Sequence, residues 1–406
     1  MQQESRKNLG LLILVASLGY FVDIYDLVIF SIVRVKSFRE IGVADDLLRT
    51  NGEFVINMQM FGLLIGGFIW GIIGDKYGRL KVLFGSILLY SLGNIANGFV
   101  HDVNTYAWIR LIAGIGLAGE LGAGITLVSE SMSKEKRGYG TMIVAGIGVL
   151  GAAAAYFVSE HFNWRNAYFV GGGMGLLLLL MRVGIFESGM FRSAELQHVA
   201  KGRFSMILTD RKRLMRYIYC LGIGLPLWYV VGILITQAPE IGKALGSTET
   251  LSAGKGIMIA YIGLSIGEVL AGLLAQLTRS RRFVMMVFHI VSLGIACLYL
   301  SSKGMDESKF ATIAFFLGMS VGYWATFVTI ASEQFGTNLR ATVTTTAPNF
   351  IRGALIPITF AFEFFVARYG IIQAGYIMMF ILSGLSLICT YKIRESFGLD
   401  LNYLEE

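Results

Sequence analysis

The sequence predicts an all-α integral membrane protein with twelve transmembrane helices in two pseudo-symmetric six-helix bundles. Of its 406 residues, 55% are hydrophobic and only 15% are charged, whereas a soluble protein carries about 25% charged residues. Apolar runs of about 20 residues, long enough to cross about 30 Å of hydrocarbon, recur along the whole chain. Short motifs in the first half also return in the second. These three observations together exclude a soluble domain.

Each apolar run predicts one membrane helix. The 50 glycines against 4 prolines suit helices whose backbones approach closely. Arg6 and Lys7 precede the first run, which has no small-residue cleavage site, so we expect a retained first helix and not a signal peptide. The predicted helices cover 9–33, 53–74, 82–100, 104–128, 139–159, 166–185, 216–238, 253–277, 283–301, 308–331, 342–367 and 370–392.

The basic residues between the helices predict the orientation. Most of the 34 Lys and Arg residues, Arg182 among them, fall in segments that share one face with the N-terminus. Such residues mark the cytoplasmic side, so both termini are expected there, in a cell inner membrane. Arg34, Lys36, Arg39 and Arg49 are expected in the first outer loop. The net charge of +7 does not indicate nucleic acid, because the basic residues form no single face.

One long polar stretch divides the chain. It predicts an N-terminal six-helix bundle (1–186), a cytoplasmic linker (187–215) and a C-terminal six-helix bundle with a short tail (216–406). The halves echo each other, because Glu130 precedes Arg137 by the same spacing as Glu333 precedes Arg340. A repeat of this kind places a substrate site between the halves, near the midplane, with rocking as the transport motion.

The segment Gly71–Lys81 (GIIGDKYGRLK) is similar to the signature loop between helices 2 and 3 of the major facilitator superfamily. The resemblance implies a charged gate at the cytoplasmic face; a purely topological role for the positive charges is the alternative. In the second copy of the loop, Gln276 stands where Asp75 stands in the first. The gating residues implied are Asp75, Arg79, Glu130, Arg137, Glu333 and Arg340.

Other motifs resemble the metabolite:proton symporter and sugar-porter-like branches of that superfamily. They are Tyr25-Asp26 in helix 1, the stretch Arg110–Gly116, and Gly119-Glu120 in helix 4. The resemblance implies a monomer that works by alternating access. Helix 7 lacks the paired glutamines of sugar porters, which argues against a hexose. Helix 5 lacks the Gly-Pro step of drug antiporters, which weighs against drug efflux.

Four charges inside the first half are candidate proton-coupling residues. Asp23 and Asp26 share one face of helix 1, and a proton taken up by one relieves the repulsion between two buried carboxylates. Arg110 lies at a similar depth to Asp26, so an ion pair between them is predicted, either as a coupling element or as a static pair. Glu120 is expected to serve as a second proton site, to bind a substrate cation, or to make a structural hydrogen bond.

The second half contributes candidate substrate-binding residues. Arg352, near mid-membrane, is expected to bind a substrate carboxylate, or else to pair with Glu268 or Glu363. Arg110 is a further candidate for that carboxylate. Aromatic residues that either line the cavity or simply pack are Trp228, Tyr229, Tyr323 and Trp324.

The predicted function is proton-coupled symport of a small polar metabolite: an organic acid, an amino acid or a zwitterion. The alternative is a proton-driven exporter of a drug-like or siderophore-like compound; a sensor or a channel fits less well. The sequence contains no phosphate-binding loop, so ATP is not the expected energy source. It also contains no nucleophile–base motif, so an enzyme is not expected. The four histidines and three cysteines show no metal-ligand spacing, so neither metal nor cofactor is expected. The expected partners are the substrate, protons and the lipid bilayer.

Overall fold

The computed structural model describes residues 2–77, 79–120, 124, 128, 132, 137–187, 204–398 and 405. We number the α-helices α1 to α17 in chain order. They are α1 Gln2–Glu40, α2 Leu48–Tyr77, α3 Arg79–Asn97, α4 Val103–Leu117, α5 Arg137–Gly148, α6 Gly151–His161, α7 Trp164–Glu187, α8 Ser205–Thr209, α9 Arg211–Tyr229, α10 Ala238–Ala244, α11 Ala253–Thr278, α12 Arg281–Ser301, α13 Glu307–Ser320, α14 Trp324–Glu333, α15 Thr337–Gly353, α16 Leu355–Tyr369 and α17 Ile371–Lys392.

Within the described part of the chain, 9 segments are long and apolar enough to cross a membrane. Three of them contain a break, at the α5–α6, α13–α14 and α15–α16 junctions. A fourth continues α9 into a π-helical turn, Val230–Ile235. The remaining long helices α3, α4 and α7 complete the twelve-helix membrane fold that the sequence predicts.

The two halves build the same close helix contact with glycine. On α2, a Cβ atom added to Gly62 or Gly66 would overlap the backbone oxygen of Leu111 or Ile115 on α4. On α11, a Cβ added to Gly263 or Gly267 would meet the backbone of α13 in the same way. Glycine is required at such approaches, because any side chain would force the helices apart. The repeated contact shows the pseudo-symmetry in three dimensions.

Side-chain caps begin several membrane helices outside the apolar core. Asp102 accepts a hydrogen bond from the backbone N–H of Thr105 at the start of α4, and Asp210 accepts one from Arg213 at the start of α9. These backbone hydrogen bonds lower the pKa of both aspartates, because they favour the ionised carboxylate. The caps fix where the chain turns into the membrane.

Several boundaries differ from the prediction. The first helix extends to Glu40 and includes Arg34, Lys36 and Arg39, and α2 begins at Leu48 and includes Arg49, so the prediction that these four residues lie in a loop is wrong. Hydropathy ends a helix at the first charge, but Arg34 is buried against the other half, so the helix continues. Residues 188–203 of the predicted linker lie outside the described residues, and its remainder forms α8 and the first turn of α9.

The halves meet along α2 and α15 and along α5 and α11. The Asn349 side chain on α15 donates to the backbone oxygen of Ala118, 2.9 Å away. The Ser265 hydroxyl on α11 donates to the backbone oxygen of Gly146, 2.8 Å away. In keeping with the predicted orientation, we call the end that carries Glu40 the outer end and the opposite end the cytoplasmic end. Between these contacts lie the buried charges.

Candidate functional site

Arg110 on α4 lies in a cage of neutral oxygen atoms inside the first half. It is fully buried. Its nitrogens donate to Gln59 Oε1 at 3.2 Å, Asn94 Oδ1 at 3.0 Å and the backbone oxygen of Asp26 at 2.7 Å. The guanidinium also lies 5.8 Å from the centre of the Tyr168 ring. Helices α1, α2 and α3 thus each supply one acceptor, which holds Arg110 in a single position.

The ion pair predicted between Asp26 and Arg110 is not formed in this conformation. Arg110 reaches the backbone oxygen of Asp26, and no ion pair within 4 Å joins it to the carboxylate. Asp26 is fully buried and its carboxylate packs close to Gly171 on α7. The depth of the two residues along their helices predicted that they lie close together, but it does not determine which atoms of Asp26 face Arg110.

Asp23, one turn earlier on α1, faces the second half instead. Its Oδ2 lies 3.6 Å from Nη2 of Arg352 on α15, and both side chains are completely buried. The pair joins the two halves in the middle of the molecule. Sequence reasoning missed this pairing, since it considered only Glu268 and Glu363 as partners of Arg352. Those two are engaged elsewhere, with the start of α14 and with Arg49 respectively.

Arg352 has unusual freedom for a buried cation. None of its three guanidinium nitrogens makes a hydrogen bond to a described residue. The guanidinium lies 5.6 Å from the centre of the Trp228 ring on α9. A buried guanidinium carries five N–H donors that normally find acceptors, so donors left open here can bind an added oxyanion.

One of the four predicted aromatic residues, Trp228, lies beside Arg352, and Trp324 packs against Trp228. The rings of Trp228 and Trp324 are 6.3 Å apart at 76°, and neither indole N–H has a partner among the described atoms. Tyr229 donates its hydroxyl to the backbone oxygen of Gly375, 2.9 Å away. Tyr323 packs its ring edge-on against His289 at 5.0 Å. The structure therefore brings the two tryptophans to the site and places the two tyrosines in helix packing.

Glu120, a predicted proton or cation site, is already paired. Its carboxylate receives two hydrogen bonds from the guanidinium of Arg182 on α7, one of them 3.0 Å long. Both side chains are buried. The sequence placed Arg182 in a cytoplasmic segment, and the structure corrects this position. In this conformation, Arg182 occupies the position beside Glu120 that a substrate cation would take.

Most of the predicted cytoplasmic gate falls outside what the structure describes. Glu130, together with the side chains of Asp75, Arg79 and Arg137, lies outside the described residues. In the second half, Glu333 pairs with Arg281 at 2.8 Å, while Arg340 donates to the backbone oxygen of Ser332. Arg281 belongs to the second copy of the signature loop. The loop copy that lacks an aspartate thus still binds a carboxylate.

The outer end of the molecule carries charged links between the halves that sequence reasoning did not predict. Arg34 on α1 pairs with Glu240 on α10 at 2.9 Å. Arg49 on α2 pairs with Glu363 on α16. Gln237 donates to Glu53 at 2.6 Å. These contacts, which we call the outer links, close the outer ends of the two halves against each other.

Two cavities lie between the halves. The outer cavity is next to the outer links and the π-helical turn; the cytoplasmic cavity lies between α5, α11 and α14. The outer cavity is lined by Arg34, Glu53, Ile56, Gly232, Thr236 and Thr359. Residues that line the cytoplasmic cavity include Tyr139, Met142, Glu268, Gln276, Arg281 and Thr326.

Comparison with known proteins identifies this arrangement. A model of the Major Facilitator Superfamily matches residues 16–359. The chain belongs to this superfamily. The proton:xylose symporter XylE, in a structure with bound 6-bromo-6-deoxy-D-glucose, has a TM-score of 0.74 at 16% identity, with 98% of both chains covered. That match shows the shared fold.

Two relatives are proteins named for the transport of small molecules. The putative niacin/nicotinamide transporter NiaP of Bacillus subtilis (strain 168) is 25% identical over 357 residues, which is 86% of this chain and 85% of that protein. The gentisate transporter of Corynebacterium glutamicum is 25% identical over 322 residues, 73% of this chain and 72% of that protein. The chain is therefore a multi-pass membrane transporter and not an enzyme, and the predicted family and fold are confirmed.

Proposed function

We propose that this transporter carries a small carboxylate-bearing metabolite into the cell together with a proton, and that Arg352 binds the carboxylate. The observation that carries the proposal is the Asp23–Arg352 contact of 3.6 Å between the halves, in which the arginine makes no hydrogen bond to described residues. A guanidinium is suited to bind carboxylates with two parallel hydrogen bonds. A substrate carboxylate would occupy the donors that Asp23 leaves open.

Charge balance links substrate binding to a proton. Arg352 and Asp23 form one positive and one negative charge in a region closed to water. A substrate anion would add a second negative charge beside one cation, and uncompensated buried charge is costly. Protonation of Asp23 removes that excess. One proton therefore moves with each monocarboxylate, and transport carries no net charge.

The two tryptophans favour an aromatic acid. The Trp228 ring lies 5.6 Å from the Arg352 guanidinium and forms a corner of 76° with Trp324, with both indole N–H groups unoccupied among the described residues. Aromatic rings pack well against each other in such edge-to-face arrangements. Niacin and gentisate, for which the two relatives are named, are both aromatic carboxylic acids. A substrate with one ring and one carboxylate fits this combination of groups.

The remaining predicted residues take supporting roles in this proposal. Asp26 is a second proton-coupling carboxylate one turn from Asp23, and Arg110 fixes the backbone of α1 at that turn. Glu120 with Arg182 anchors α4 to α7. Rocking of the halves would break the outer links and form contacts at the cytoplasmic end, where the predicted gate residues lie. Both termini then face the cytoplasm, and the protein works as a monomer in the inner membrane.

Uptake into liposomes tests the proposal with a matched pair of compounds. Nicotinate and nicotinamide share a ring, but only nicotinate carries a carboxylate. An inward proton gradient should drive accumulation of nicotinate and not of nicotinamide. A membrane potential imposed alone should have no effect. Accumulation of both compounds to the same level would contradict a carboxylate site.

The variant Asp23→Asn separates coupling from binding. Asparagine keeps the shape of the side chain but cannot release a proton, and it leaves Arg352 without an anion. We expect the variant to exchange nicotinate across the membrane at symmetric pH, while an imposed proton gradient no longer raises accumulation. Loss of exchange as well as accumulation would assign Asp23 a structural role.

A further inference from the structure

The membrane span Glu307–Glu333 is broken between α13 and α14. Between α13 and α14, residues Val321–Tyr323 leave the helical path, and α14 begins at Trp324. The break lies directly against α11, because Gly322 and Gly267 pack backbone to backbone: a Cβ on Gly322 would lie 2.7 Å from the Cα of Gly267. This contact places the residue after Gly267 at the start of α14.

That next residue is Glu268. Its Oε1 accepts a hydrogen bond from the backbone N–H of Trp324 at 2.8 Å, and its Oε2 accepts one from Ala325 at 2.9 Å. The first N–H groups of a helix have no partner within the helix, and Tyr323 at the cap position supplies no side-chain hydrogen bond. Glu268 therefore caps α14 from a different helix.

The environment of Glu268 excludes a simple ion-pair role. The side chain is 1% exposed, and no lysine, arginine or histidine among the described residues lies within 4 Å of its carboxylate. Its charge is balanced by the two N–H groups and the positive end of the α14 dipole. Glu268 also lines the cytoplasmic cavity, together with Ala325 and Thr326. Glu268 therefore contacts both the start of α14 and the cytoplasmic cavity.

We propose that Glu268 is a positioning residue for substrate selection: it holds the start of α14 so that the Trp324 ring stands against Trp228 and forms the corner for the substrate ring. The inference rests on the proposed function and extends it. Removing the carboxylate charge would release the N-terminus of α14, so that the Trp324 ring adopts several positions, while Arg352 on α15 keeps its place. Selection of a flat ring would then be lost, while binding of the carboxylate would remain.

The experiment compares two acids of similar size, benzoate and cyclohexanecarboxylate, which share the carboxylate and differ in the flatness of the ring. Competition against labelled nicotinate in liposomes gives an apparent affinity for each. We expect wild type to prefer benzoate and Glu268→Gln to lose about fivefold of that preference. Affinity for cyclohexanecarboxylate should stay near the wild-type value.

A matched control lies in the same half. Glu395 also accepts two successive backbone N–H groups, from Arg281 at 3.1 Å and Arg282 at 3.2 Å, at the start of α12, and among the described residues it makes no hydrogen bond to α14. Glu395→Gln should leave the ratio between the two acids unchanged. A change of that ratio in both variants, or in neither, would overturn the inference.

A double-mutant cycle tests whether Glu268 acts through Trp324. If it does, Glu268→Gln adds nothing to the loss of preference already caused by Trp324→Ala; additive losses would overturn the inference. If Glu268→Gln does not fold, the shorter carboxylate of Glu268→Asp should shift the ratio in the same direction, and an unchanged ratio would count against the inference. Wild type that binds neither acid would contradict the proposed function instead.

Discussion

Two buried arginines of the same exposure have opposite surroundings. Arg110, inside the first half, donates to three neutral oxygens from three helices. Arg352, between the halves, makes no hydrogen bond to a described residue and lies 3.6 Å from Asp23. Buried polar groups in proteins nearly always have partners. In the proposed function, this difference separates an arginine that holds the fold from one that binds the substrate.

The same difference decides which of the two arginines can respond when the halves rock. Arg110 could bind a ligand only by breaking three hydrogen bonds within one bundle. Arg352 and Asp23 sit on different bundles, so rocking of the halves changes their distance directly. A contact between bundles can respond both to a proton and to the conformation. For this reason we assign Arg352, and not Arg110, to the substrate carboxylate.

The largest effect on stability should come from Arg110→Gln. A buried hydrogen bond to a charged group contributes about 1.5–3 kcal/mol, and three acceptors would lose their donor. We expect a clear fall in the melting temperature of the detergent-purified protein. The control is the double variant Asp23→Asn/Arg352→Gln, which removes both charges of the central pair but no hydrogen bond. If the control unfolds at a lower temperature than Arg110→Gln, the comparison between the two arginines is wrong.

The reverse order should hold for substrate binding. Arg352→Gln removes one partner of a buried charged contact, which costs about 2–5 kcal/mol and weakens nicotinate binding at least ~30-fold. Isothermal titration measures this loss. Arg352→Lys should restore little, because a lysine cannot make two parallel hydrogen bonds to a carboxylate. Binding that survives in Arg352→Gln would move the carboxylate site elsewhere.

The sequence predicts one kind of feature well and another poorly. Helix number, family and the burial of Asp23, Asp26, Arg110 and Arg352 follow from local patterns, since a charge within an apolar run is visible in one segment. The depth of Asp26 and Arg110 along their helices also predicted correctly that they meet. These features depend on one helix, or on neighbours whose order the fold determines.

Contacts between the halves were not predictable in the same way. Asp23 and Arg352 are separated by most of the chain, and helix rotation decides which of the two aspartates faces the second half. The extension of α1 to Glu40 was missed for a related reason, because Arg34 is neutralised by Glu240 from the other half. Hydropathy of one segment carries no information about a partner on another.

A third buried arginine sharpens the comparison and should give the smallest effect. Arg34 is 1% exposed, and it has one ion pair across the halves, with the half-buried Glu240. Because Glu240 is 24% exposed and stays hydrated without its partner, Arg34→Gln should weaken the outer links by about 1 kcal/mol and favour opening about fivefold. A cysteine at Thr359, which lines the outer cavity, should then react faster with a water-soluble thiol reagent. Lys36→Gln is the control, since Lys36 pairs with Glu160 inside the same half. Equal labelling rates in the two variants would show that the outer links do not hold the halves closed.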